Sequence, residues 1–324
     1  MNLAMLRQVW RESRLLMLGC SIALFAFCWV RVWIVGRIDM SRFQGILEIL
    51  RPEFENFSSI DFEQALTYPG RVGFTFTEPM VILLIVVWGI ARGSDTVSGP
   101  LGKGTMEMML SQPISRFQYL MSKNLVTLLG TMIIAASAYA GLACGIQTTT
   151  VKIEQKPIKM QIPLVKIQVE VPFTQDPNAP TRVPLANFVE KEDMFPSALN
   201  LMGLGIFFAG FTTLMSSWDQ YRWRTIAIAA AFLIIQLMLR VLSLSMEDMT
   251  WLRYTTIFSL YEPEVLVSYA VHTKDGAWSF FFQKSQEDWK LGGLAYLTFL
   301  AGGGLAGFAG ATWIFCRRDL PAPV

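Results

Sequence analysis

The chain is poor in the residue types from which most polar active sites are built. It has one histidine in 324 residues, so no histidine-based metal site can form within it. That residue, His272, has no acid–base partner beside it in sequence and reads as an exposed loop residue. Cysteine is scarce as well. Cys20, Cys28, Cys144 and Cys316 all sit inside or at the ends of apolar runs. They read as small buried hydrophobes, not as a disulfide framework or a metal cluster. Charged residues make up 16% of the chain and the net charge is +2, which leaves no electrostatic footprint for nucleic acid. A phosphate-binding loop is missing too. GPLGKGT, Gly99–Thr105, resembles one superficially. The motif needs Ser or Thr directly after its Lys, and a Gly five positions before its second Gly. Here Gly104 follows Lys103 and Val97 holds the earlier position. Nothing in this chain is equipped to hydrolyse ATP, and no cofactor site of its own is expected.

What the chain does have is apolar residue, 53% of the total, bunched into long runs. A run of about 18 or more apolar residues reads as a membrane span. Six runs qualify: Leu15–Val35, Val72–Ala91, Leu125–Ile146, Ala198–Trp218, Thr225–Leu244 and Leu291–Phe315. Helices are the default, because lipid offers no partner for unpaired backbone groups. The fold class is therefore an all-α polytopic membrane protein with six transmembrane helices. Six crossings put both termini on one side. The short connections on that side carry eleven basic against five acidic residues, the cytoplasmic signature, so both termini are placed in the cytoplasm.

Four regions follow. Residues 1–14 carry Leu3, Leu6 and Trp10 on one helical face, with Arg7, Arg11 and Arg14 away from it. They read as a basic amphipathic helix lying in the inner interface. Residues 15–146 hold the first three spans with a cytoplasmic loop, 92–123. Residues 147–196 form an extracytoplasmic insert between the third and fourth spans. Within it, Val151–Phe173 alternates apolar and polar residues, a strand period, and Pro157 and Pro163 divide it; a small antiparallel β element is expected. Residues 197–324 hold the last three spans and an aromatic-rich outer segment, 245–290, expected to form short helices.

The loop 92–123 is the most informative stretch. Ser94, Asp95, Ser98, Gly99 and Pro100 read as a flexible lead-in. Thr105 is placed to cap a short helix, Met106–Leu110, with Met106, Met109 and Leu110 on its apolar face. Pro113 ends it. Ser115 is placed to cap the next helix, which carries Arg116 into the third span. A helix flanked by breaks between two spans can pass a push from a soluble partner to the membrane.

The run Gly102-Lys103-Gly104-Thr105, Glu107, Leu110, then Ser111-Gln112-Pro113-Ile114-Ser115-Arg116 resembles the permeases of ABC-2 type transporters, as does Lys123. The tail Phe315–Pro321 is also similar to the ends of such permeases. The resemblance implies a membrane-spanning, exporter-like permease subunit in the cell's inner (cytoplasmic) membrane. It implies that ATP and Mg are bound by a separate ABC ATPase and that two permease subunits pair, as a homodimer, in the bilayer. On that implication the ATPase-coupling residues are Lys103, Thr105, Met106, Glu107, Met109, Leu110, Gln112, Pro113 and Arg116. Glu107 and Arg116 would make polar contacts with the ATPase, and Met106, Met109 and Leu110 its apolar anchor. Two alternatives stay open: an internal Glu107–Arg116 ion pair, and methionines packed on the inner ends of the spans. The insert exceeds the family's minimal pattern. A scaffold that uses the ATPase to act on an envelope partner through it is the competing reading.

Within the spans Arg31, Glu78 and Arg240 are ionisable and lie near predicted outer ends, where snorkelling is available to them. The glycine-rich run Gly292–Gly310 permits close approach of another span.

Overall fold

Six helical stretches of the computed structural model are long and apolar enough to cross a membrane: Leu3–Arg37, Tyr68–Ser94, Arg116–Thr148, Lys191–Trp218, Arg222–Ser245 and Gly293–Arg317. The structure describes residues 3–38, 51, 60–111, 114–152, 158–161, 168–171, 182–283 and 289–318. All six expected spans are therefore present in the expected order.

The first departs from expectation at its start. Helix α1 runs unbroken over Leu3–Arg37, so residues 3–14 are not a separate element. No proline or glycine interrupts residues 3–18, so nothing stops the helix. Its buried stripe continues at three- and four-residue steps from Val9 through Ser13, Met17, Cys20, Leu24, Cys28 and Val32. Leu3, assigned to the apolar face, is 80% exposed. At 35 residues the helix is about 52 Å long, well beyond a hydrocarbon core of about 30 Å.

The second span is jointed. Helices α2 (Phe62–Leu66) and α3 (Tyr68–Gly73) lead into a 3-10 turn, Phe74–Thr77, and α4 (Pro79–Ser94) follows. The joint falls at Glu78, and Pro79 takes the first turn of α4, where its missing N–H costs nothing. Two short helices come next, α5 (Ser98–Gly102) and α6 (Met106–Leu110), and then the long α7 (Arg116–Thr148). Helices α1 and α7 run side by side in the same direction. Gly141 and Gly145 of α7 leave room for the Phe25 backbone and the Val32 side chain of α1.

After α7 the chain forms two strand pairs. β1 (Thr150–Lys152) pairs antiparallel with β4 (Arg182–Pro184), setting Val151 opposite Val183. β2 (Ile158–Gln161) pairs antiparallel with β3 (Gln168–Val171), setting Ile158 opposite Val171. The expected β element is there; Pro157 and Pro163 lie outside the described residues. Helix α8 (Phe195–Trp218) then sits at the centre of the bundle, and α9 (Arg222–Ser245) flanks it. Short 3-10 turns at Glu247–Thr255 and Ile257–Leu260 lead to α10 (Pro263–His272), α11 (Lys274–Trp278) and the hairpin β5 (Phe281–Gln283)–β6 (Trp289–Leu291). Helix α12 (Gly293–Arg317) closes the bundle.

Small residues set the central contact. A side chain at Gly210 of α8 would collide with the Gly304 backbone of α12, and one at Gly304 with the Ile206 backbone. The two helices meet backbone to backbone, so the glycine-rich stretch packs on another span of the same chain. The outward faces are apolar: Leu15, Ile22, Val87, Ile234, Met238, Phe299 and Leu305 are all exposed. Exposed Trp218, Tyr221, Trp223 and Trp313 lie at one end, and Trp29, Trp33, Trp251 and Trp278 at the other, as interfacial belts do.

Two single-residue expectations are corrected. Cys144 and Cys316 are exposed, while Cys20 and Cys28 are buried, because only the latter lie on the α1 stripe. His272 is exposed but helical, in the last turn of α10, with Nδ1 3.0 Å from the Ser268 carbonyl.

Candidate functional site

Helix α1 begins and α12 ends at the same end of the bundle, where the segment 92–123 also lies. Arg116 donates to the Arg318 carbonyl at 2.7 Å, and Arg318 to that of Ser217 at 2.9 Å.

The loop is built from three helix-end devices. The stretch expected to be flexible is helical and buried. In α5, Ser98, Gly99 and Pro100 are buried. The Ser216 hydroxyl accepts from the Val97 and Ser98 amides at 3.2 and 2.9 Å, and Thr225 donates to the Ser98 hydroxyl at 3.1 Å. Polar groups withdrawn from water need such partners, and α8 and α9 supply them. Helix α5 then ends at Gly104, whose φ is +69°. The Gly104 amide donates to the Leu101 carbonyl and the Thr105 amide to that of Pro100, both at 3.0 Å. This is a Schellman closure, and it needs glycine at the left-handed position. The run Gly102–Thr105 is thus a helix stop.

Helix α6 spans the predicted residues. Thr105 occupies the position before it but does not cap it with its side chain; the hydroxyl turns back to the Pro100 carbonyl at 3.4 Å. Its backbone is already helical there, with φ −88° and ψ −7°, which points the side chain away from the α6 amides. Ser115 does cap α7, accepting from the Gln118 amide at 3.2 Å, and the Gln118 side chain accepts from the Ser115 amide at 3.3 Å. That is a full capping box.

The apolar face of α6 turns inward. Met106 is 2% exposed and packs with Val97, Tyr119, Leu120, Ala311 and Phe315; Met109 is half-buried against the same group. These contacts realise the packing alternative for both methionines. The outward face carries Lys103, Glu107 and Met108, the last 73% exposed. Met108 was absent from the sequence reading; it lies one helical step off the Met106–Met109 stripe, a period that marks it as outward. Arg116 is engaged with the tail and makes no ion pair with Glu107 among the described residues. The Leu110 side chain, Gln112 and Pro113 lie outside the described residues.

Beneath α6 lies an ion network that joins four spans. Asp95, at the end of α4, faces Arg92 of the same helix at 3.9 Å, Lys123 of α7 at 3.4 Å and Arg222 of α9 at 3.5 Å. Lys123 also meets Glu12 of α1 at 3.5 Å. Lys123 is 3% and Arg92 6% exposed, so neither charge is held by water and both depend on the carboxylates. Tyr119 donates to the Thr96 carbonyl at 2.9 Å and holds the loop onto α7.

The opposite end is pinned by a second network. Arg31 of α1 donates to Glu78 at 2.8 Å, so these two pair with each other. Arg240 of α9 lies 3.7 Å from both Glu262 and Glu264, and donates to the Phe258 carbonyl. Arg253 donates to Glu262 at 2.7 Å. Burial pushes the Glu264 carboxyl up to about 7, although Arg240 pulls it down. Among the described residues no group of three or more His, Cys, Asp and Glu is placed to hold a metal.

A bundle of six apolar helices, lipid-facing outside and charge-pinned at both ends, defines a multi-pass membrane protein. A family model described as ABC-2 family transporter protein matches residues 6–320, nearly the whole chain, and the chain belongs to that family. It is a membrane-spanning transport component. A search of curated proteins finds no match.

Proposed function

We propose that this chain is the permease subunit of an exporter-like ABC complex in the cytoplasmic membrane, with both termini cytoplasmic. A separate ATPase binds ATP and Mg and docks on α6. Two permease copies pair, and closure of the ATPases drives α6 against the ends of the spans. The observation that carries this reading is the two-faced character of α6. Its inner face is locked by Met106 into the bundle, and its outer face offers an uncovered Met108 next to exposed Glu107. Exposed apolar residues beside charge mark a partner surface, and behind α6 an ion network ties α1, α4, α7 and α9 to one another.

The test is co-purification. The native chain, expressed from its own genomic context, should bring down a protein with a phosphate-binding loop. Met108→Asp should lose that partner while the chain's thermal midpoint in detergent stays unchanged, because the side chain is exposed. A stable native chain that brings down no ATPase would falsify the reading.

A further inference from the structure

A cleft of about 440 Å³ opens at the root of α6, between α1, α4, α5, α7 and α9. Four cations line it, Arg92, Lys103, Lys123 and Arg222, against two carboxylates, Glu12 and Asp95. The cleft is therefore net positive. Its carboxylates are shared among Arg92, Lys123 and Arg222, and Lys103 makes no ion pair among the described residues.

One cation is also under-satisfied. Arg92 is buried, yet its Nε and Nη2 have no hydrogen-bond partner, and its Nη1 reaches Asp95 only at 3.9 Å. Buried guanidinium donors left unpaired are costly, and an oxyanion, carboxylate or phosphate, is the ligand class that a cluster of arginine and lysine takes.

The position says where such an anion comes from. On α1 the cleft-lining residues Glu12, Ser13 and Leu16 stand where the helix surface changes character. Before them come exposed Arg7 and Arg11, and Arg14 is exposed among them. After them Leu18 and Ile22 are exposed apolar residues, as Leu15 is beside them. That change marks the lipid–water boundary. A headgroup in the cleft would have its acyl chains along this lipid-facing side of α1.

We propose that the cleft binds a phosphate group at the membrane surface, that of an anionic phospholipid. The occupant would complete the charge balance beneath α6, so the lipid would hold the coupling helix to its spans. Binding needs no nucleotide, so its failure would leave the coupling reading, tested by co-purification, untouched.

The experiment is native mass spectrometry of the full chain as purified from its membrane. Phosphatidylglycerol or phosphatidylcholine is added, each with and without excess inorganic phosphate. Selective retention of phosphatidylglycerol is expected. Lys103→Gln and Arg222→Gln should each weaken it about fivefold, the equivalent of ~1 kcal/mol per cation near a membrane surface. Arg224→Gln removes the same charge at the same end but outside the cleft, and should leave retention unchanged. Arg92→Gln should abolish selectivity; because it is buried, its thermal midpoint is measured alongside, and the two exposed-side variants decide the matter if it unfolds. Equal retention of both lipids, or equal loss in Arg224→Gln, overturns the site. Displacement of the lipid by inorganic phosphate assigns the cleft to a free anion and overturns the lipid source.

Discussion

Glu264 is a buried carboxyl outside the spans. Its side chain is 6% exposed, one oxygen lies 3.7 Å from Arg240, and the other has no partner. Burial raises its pKa from an ordinary 4.5 to about 7. A raised folded-state value means that the protonated form is the one the fold prefers. The stabilising contribution is complete below the ordinary value and is lost as pH rises through about 7. Glu262 remains as the counter-ion for Arg240 and Arg253, so neutralising Glu264 leaves neither arginine unpaired. Glu264→Gln is therefore expected to raise the thermal midpoint above pH 7 and to flatten its fall between acid and neutral pH. Melting curves of the two proteins across that window check this, and a native chain whose midpoint does not fall would sink it. None of this was legible in sequence, where Glu262 and Glu264 sit unremarkably in a semi-polar segment. Their partner Arg240 was read as free to snorkel because its distance from Glu262 depends on how the outer segment folds back over α9.

At the scale of elements, the legible parts were the local ones. The bounds of α6 and the Ser115 cap of α7 follow from residues within a few positions of each other, and both are found. The burial of α5 was missed for the opposite reason. Ser98 reads as lead-in polarity until Ser216 and Thr225, 118 and 127 residues away, arrive to satisfy it. The glycine stretch was legible in kind, since small residues permit close packing, but not in which glycines matter. The structure separates them. A methyl group at Gly210 would overlap the Gly304 backbone, whereas one at Gly302 meets nothing within 4 Å. Gly210→Ala must push α8 and α12 apart, and overpacking of this kind costs about 1–3 kcal/mol. Gly302→Ala should be neutral or slightly stabilising, because alanine is the better helix former. Chemical unfolding of the two variants in mild detergent gives the comparison, and equal stabilities would mean that the α8–α12 contact is looser than described.

For the whole molecule the question is how a push on a five-residue helix could re-pack spans that extend across a bilayer. Helices α1 and α7 are about 50 Å long each, parallel, and joined near their starts by the Glu12–Lys123 pair. On the proposed coupling, a displacement at that pair would be carried along the α1–α7 seam, because packed interfaces switch between arrangements and do not deform smoothly. Cys20 and Cys28 lie on the buried stripe of α1, 4% and 0% exposed, and so report on the uncovering of that helix. In the proposed complex with an ATPase, a non-hydrolysable ATP analogue is expected to raise the rate at which a membrane-permeant maleimide labels Cys20 and Cys28. Exposed Cys144 and Cys316 serve as internal references whose labelling should stay constant. Asp95→Asn should remove the nucleotide effect while leaving the ATPase bound. Asp95 is the shared counter-ion of Arg92, Lys123 and Arg222, and without it α4 and α9 no longer move with α7. The same substitution leaves buried Arg92 without its carboxylate, while Lys123 keeps Glu12, at a cost of about 3–5 kcal/mol, so labelling is compared at a temperature where the variant remains folded. If seam labelling is indifferent to nucleotide in the native complex, motion enters the bundle elsewhere. The hydroxyl contacts of α5 with α8 and α9 are then the remaining route, because Ser98, Ser216 and Thr225 are the other fixed connection between this loop and the spans.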